Sequence, residues 1–148
     1  MVFILNLSNE EDSDVEDFLK PFENKPSFII TGGNFERYSP IFNTNKFLIT
    51  INLSSSTITE VPDNAFYKCT NLKTFIWHSH KLIKIKNNFL SNCYNLVNLD
   101  IAFYSVDTIG DNFLSDCYTI QQIKLKWFYK LKQIGNDFLS KLIMLNNI

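Results

Sequence analysis

The sequence predicts an α/β solenoid of coils about 24 residues long, in which short parallel strands alternate with helical turns. Cys69, Cys93 and Cys117 lie 24 residues apart. Around them the chain aligns with itself: ITEVPDNAFYKCTNLKTFIW from Ile58, LIKIKNNFLSNCYNLVNLDI from Leu82 and VDTIGDNFLSDCYTIQQIKL from Val106. A further copy, LKQIGNDFLSKLIMLNNI, starts at Leu131. No polar residue enters the repeated apolar columns, among them Val61/Ile85/Ile109/Ile134, Ala65/Phe89/Phe113/Phe138, Phe66/Leu90/Leu114/Leu139 and Phe75/Leu99/Ile123/Ile148. One unit of this length cannot enclose its own apolar face, so successive copies must stack over a shared core.

Each copy begins with an extended piece, such as residues 58–61. A corner follows: Pro62-Asp63-Asn64, Lys86-Asn87-Asn88, Gly110-Asp111-Asn112 or Gly135-Asn136-Asp137. Asp and Asn there suit the cap of a helical turn, with Ala65, Phe66 and Cys69 spaced to share its inner face. Leu72, Phe75 and Trp77 end the copy in alternation, which predicts a strand. Strands from successive copies would form a parallel sheet with a spacing of about 4.8 Å.

These signals divide the chain into repeats at 41–57 (partial), 58–81, 82–105, 106–130 and 131–148 (partial), with residues 1–40 set apart as an N-terminal β-α-β cap. Within 1–40, residues 2–7 are apolar enough for a strand. Ser13 and Glu16 form a capping box ahead of Val15, Phe18, Leu19 and Phe22 at helical spacing, closed by Pro21. Residues 27–31 predict a second strand before Gly32 and Gly33. Thr31-Gly32-Gly33-Asn34 lacks the lysine and glycine spacing of a phosphate loop.

The block I-x-x-I-x-x-x-A/F-F/L-x-x-C-x-x-L-x-x-I-x-I resembles the leucine-rich repeat, in particular its BspA-like subclass, over residues 41–148. The resemblance implies a right-handed, curved solenoid whose strand face commonly binds other molecules, and it brings no catalytic residues. Leu142 departs from the cysteine column, and no polar closing repeat follows Ile148. Self-association through that uncapped end is therefore expected.

Composition narrows the function classes. Of 148 residues, 45% are hydrophobic and 20% charged, as in a globular protein. Fourteen basic and fifteen acidic side chains argue against a dedicated polyanion binder. No apolar run approaches the ~20 residues of a membrane span, and the N-terminal residues lack the pattern of a signal peptide. Asn occurs 18 times against four glycines, so corners must be built from Asn, Asp and Ser. The cysteine column reads as small buried plugs, neither zinc ligands nor disulfides, and points to an intracellular setting.

If Phe75 and Trp77 point inward, their neighbours point out. The expected partner-binding strand face is then Thr74, Ile76 and His78, Asn98, Asp100 and Ala102, and Gln122, Lys124 and Lys126, preceded by Thr50, Asn52 and Ser54. Another protein is the expected partner of this mixed surface, which offers no enclosed apolar pocket. Trp127, Tyr129 and Lys130 form an expected secondary contact. The alternatives are nucleic-acid association through the Lys/aromatic stretch 124–132, and a cell-surface adhesin-like fragment. Arg37 is the one arginine in the chain, which weakens the nucleic-acid reading. His78 and His80 find no third metal ligand in the repeat geometry. No cofactor, metal or catalytic residue is expected.

Overall fold

The computed structural model describes residues 1–6, 20, 24–31 and 42–146. Two parallel sheets run side by side along a solenoid axis. The first contains β1 (Phe3–Asn6), β2 (Ser27–Thr31), β3 (Thr50–Asn52), β5 (Thr74–Ser79) and β7 (Asn98–Phe103), in the order β1-β2-β3-β5-β7. The second stacks β4 (Glu60–Val61), β6 (Lys84–Ile85), β8 (Thr108–Ile109) and β9 (Gln133–Ile134). The registers Thr50↔Thr74↔Asn98 and Lys84↔Thr108 reproduce the 24-residue period of the sequence. β1 and β2 fall close to the two strands expected before residue 40, and both join the first sheet in parallel. The helix expected over 13–22 lies outside the described residues apart from Lys20.

The apolar columns form one continuous interior. Val61, Ile85 and Ile109 are buried, as are Phe66, Leu90 and Leu114. Phe89, Phe113 and Phe138 lie face to face, with ring centroids 5.7 and 5.3 Å apart and planes within 15° and 12° of parallel. Phe66 packs edge-on against Phe89 at 6.2 Å and continues to Phe42 at 5.3 Å. The rings thus run through successive rungs as a spine.

The expected helical turns are not helices. In the segments 64–68, 88–92, 112–116 and 137–141, every second residue has a left-handed backbone, for example Asn88 (φ 60°), Leu90 (φ 54°) and Asn92 (φ 62°). Their N–H groups reach alternately forward and back: Asn88 N–H to Asp111 O at 2.8 Å, Leu90 N–H to Ala65 O at 3.1 Å, Asn92 N–H to Ser115 O at 2.8 Å. A helix would turn these donors inward along its own axis. In a stack the neighbouring rungs supply nearer acceptors, and the bonds between rungs offset the left-handed strain of about 1–2 kcal/mol per bulky residue.

Asparagine holds these corners together. Asn88 Nδ2 donates to Asn64 Oδ1 at 2.8 Å, and Asn112 Nδ2 donates to Asn88 Oδ1 at 2.9 Å. One column over, the side-chain oxygens of Asp63, Asn87 and Asp111 accept the N–H of Asn87, Asp111 and Asn136 at 3.0, 2.8 and 2.7 Å. At Gly110 a β-carbon would stand 2.5 Å from Asn87 Oδ1 and 2.8 Å from the Lys86 carbonyl carbon, so this corner requires glycine. The buried, free cysteines also bridge rungs: Cys69, Cys93 and Cys117 donate to the carbonyls of Phe42, Phe66 and Leu90 at 2.7, 3.1 and 3.0 Å. Leu142 brings no such donor, and it lies in the last described rung, where the core is only half-buried.

The regular stacking changes after Phe103. The registers Thr108↔Gln133 and Ile109↔Ile134 span 25 residues. The added residue is absorbed by a 3-10 turn, Leu125–Trp127, where the column pattern predicts a strand. Phe128 then returns to the core, 5.5 Å from Phe103 and 6.2 Å from Phe113. Beyond it, burial falls away: Leu131, Phe138, Leu139, Leu142 and Leu145 are half-buried, and Ile134, expected in the core, is exposed.

Candidate functional site

Strand alternation places most of the expected face as the sequence implies. In β5, Phe75 and Trp77 are buried, Thr74 and Ile76 are half-buried, and His78 is exposed. In β7, Asn98 and Asp100 are exposed. Ala102 is a correction: at 3% exposure it cannot meet a partner. It lies level with the stretch where the next rung leaves the strand course for the 3-10 turn. Gln122, Lys124 and Lys126 are exposed, but among the described residues they form no further strand of the sheet.

Parallel pairing brings face residues from separate copies into contact. Asn98 Nδ2 donates to Thr74 Oγ1 at 3.3 Å. His78 Nε2 lies 3.0 Å from Asp100 Oδ1, an exposed pair on which salt screening acts fully. Ser54 Oγ is 3.4 Å from the His78 backbone nitrogen, so Ser54, His78 and Asp100 do not form a nucleophile–base relay through the imidazole. His80 stacks on Tyr104 at 4.1 Å, and Tyr104 meets Trp127 edge-on at 5.5 Å. The two histidines thus have separate neighbours, and no group of three or more metal-ligating side chains occurs among the described residues.

The stretch 124–132 splits by burial. Phe128 is core, Trp127 is half-buried with the Lys126 ammonium 4.8 Å from its ring centre, and Tyr129 and Lys130 are exposed. Lys132 bonds Asp107 at 3.4 Å. The Thr108 hydroxyl, with help from Lys132, holds the Asp107 carboxyl below its ordinary range despite partial desolvation. The interleaved lysines and aromatics therefore do not form one continuous stacking platform.

Between β7 and the following segment lies an open crevice of about 260 Å³, lined by residues 97–101 and 122–124. Its apolar floor includes Leu99 and its lip includes Asp100 and Lys124. Sequence columns alone do not reveal it, since Leu99 sits in a core column. The signal available in the sequence is the 25-residue spacing between Val106 and Leu131.

Two in-register parallel sheets, an aromatic spine and an exposed strand face define a stacked-repeat solenoid, an architecture that typically serves as an interaction scaffold. The model of the BspA type leucine rich repeat region matches residues 38–148 in six copies, and the chain belongs to that family. No curated protein and no solved structure matches it. Leucine-rich repeats generally mediate protein–protein interaction. Among the described residues no helix is long and apolar enough to cross a membrane.

Proposed function

We propose that this chain is a noncatalytic recognition module that binds a partner protein through Thr74, Ile76, His78, Asn98, Asp100, Gln122, Lys124 and Lys126. The observation that carries the reading is register: Thr74↔Asn98 and Ile76↔Asp100 set the outward residues of two copies side by side, next to the exposed Gln122 and Lys124. At about 260 Å³ the adjoining crevice falls below the usual ~300–1,000 Å³ of small-molecule pockets, which favours a macromolecular contact. Trp127, Tyr129 and Lys130 extend the surface. Buried, unbridged thiols support a reducing, intracellular setting.

The test is affinity capture from the source cell. Asp100→Lys and Lys124→Glu should each weaken capture about tenfold, while urea unfolding stays within about 0.5 kcal/mol. Undiminished capture by both variants would remove the strand face from consideration.

A second contact is favoured by the last described rung. The N–H groups of Asn88, Asn92, Asn112 and Asp116 each find an acceptor one rung onward. The equivalent groups of Asp137 and Lys141 find no backbone acceptor among the described residues, beside half-buried Leu139, Leu142 and Leu145. We read this rung as a self-association surface. Sedimentation should show concentration-dependent dimers, and a monomer at high concentration would rule it out.

A further inference from the structure

We infer that the crevice beside β7 is a strand-docking site for an extended partner segment that alternates apolar and acidic side chains. This rests on the reading of the strand face as protein-binding and specifies how the partner is held. Lys73 and Thr74 N–H bond Ile49 O at 2.9 and 3.1 Å, and Val97 and Asn98 N–H bond Lys73 O at 3.1 and 2.9 Å. Asn98 and, at the far end, Tyr104 (N–H to Ser79 O, 3.1 Å) thus address β5. Alternate residues of a strand address opposite neighbours, so the main-chain groups of Leu99 and Ile101 face away from β5.

On that side the sheet ends: among the described residues no strand pairs with β7 beyond β5. Past residue 124 the next rung turns as a 3-10 helix at Leu125–Trp127 instead of continuing a strand, and the core opens beside Leu99. Leu99 is half-buried, whereas Phe75 before it and Ile123 after it in the same column are 0% and 3% exposed. This opening lies within the array, with further rungs beyond it.

An edge of main-chain donors and acceptors above an apolar floor is complementary to an added strand, which supplies backbone bonds and sends alternate side chains inward. Charge selects the outward ones. Asp100 already has His78 at 3.0 Å, while Lys124 has no carboxylate within ion-pair distance among the described residues. Lys126 turns its ammonium to the Trp127 ring instead, 4.8 Å from its centre. Acidic residues on the partner strand would meet Lys124.

The experiment is fluorescence anisotropy of the full chain with a labelled hexapeptide alternating valine and glutamate. Two control peptides accompany it, one N-methylated on the amides of a single edge and one with lysine in place of glutamate. Saturable binding of the first peptide is expected, at least tenfold weaker for each control and for Lys124→Glu. Leu99→Trp, which fills the floor, should weaken it similarly, with circular dichroism checking the fold. Absence of saturation by the valine–glutamate peptide at about 1 mM overturns the proposal. Equal binding of the N-methylated peptide overturns strand pairing. Sedimentation of a dimer that the peptide dissociates would assign the edge to a second copy instead and also overturn it. None of these results alters the effect of Asp100→Lys on partner capture, so the two readings fail separately.

Discussion

Phe89→Ala should destabilise the fold by about 3–5 kcal/mol, read as a fall in the urea midpoint. Phe89 is fully buried, and its ring lies within 6.5 Å of Phe66, Phe75, Trp77, Phe103 and Phe113. Removing it opens a cavity where three consecutive rungs meet. In a linear array, stability is close to the sum of rung energies and nearest-neighbour interfaces, so a defect in the middle weakens two interfaces. Phe138→Ala offers the comparison. Phe138 is half-buried, and its ring contact is with Phe113 at 5.3 Å. Its loss should cost about 1 kcal/mol, in the range of ordinary substitutions. Equal costs at the two positions would mean that the rings do not act as one spine.

The column of Phe89, Phe113 and Phe138, which begins with Ala65, was legible because burial in a stack imposes apolar character on the same position of every rung. The strands were legible for the same reason: alternation at Phe75 and Trp77 survives into β5. The turns were not. Spacings of one and three or four residues at Ala65, Phe66 and Cys69 fit a helical face, but the same spacings fit a backbone that alternates handedness and bonds to its neighbours. Periodicity reports which side chains face inward and is silent on where the N–H groups go. The abundance of Asn marked the corners, yet its larger role is the side-chain ladder from Asn64 through Asn88 to Asn112, a contact between residues 24 apart. The strand face was legible at Thr74, His78, Asn98 and Asp100. It failed at Ala102, which is buried, and in the strand course expected for Gln122, Lys124 and Lys126, where the rung turns into a 3-10 helix at Leu125–Trp127.

The thiol of Cys93 should make the fold lose stability in alkali. It is fully buried and donates to the Phe66 carbonyl at 3.1 Å. Burial, reinforced by the neighbouring thiols of Cys117 and Cys69, pushes it well above its ordinary range. An unfolded chain releases this proton near pH 8.5, whereas the folded chain retains it. Below that pH both states carry the proton, and the group adds no pH dependence. Above it the unfolded state binds fewer protons, so stability falls by about 1.4 kcal/mol per pH unit until the folded thiol also ionises. Urea midpoints at pH 7.5, 8.5 and 9.5 measure the slope. Cys93→Ala lowers the baseline by leaving a small cavity but should flatten the slope by that amount, and the difference between the two proteins cancels the tyrosines and lysines that titrate nearby. Iodoacetamide at pH 8 should leave Cys93 unmodified until urea unfolds the chain. An unchanged slope in the variant, or labelling of Cys93 in native protein at the rate of a free thiol, would show that the interior of the stack is open to water at its middle rungs. The thiol must stay protonated to donate to Phe66, so the chemistry that makes this column inert is the same chemistry that ties one rung to the next.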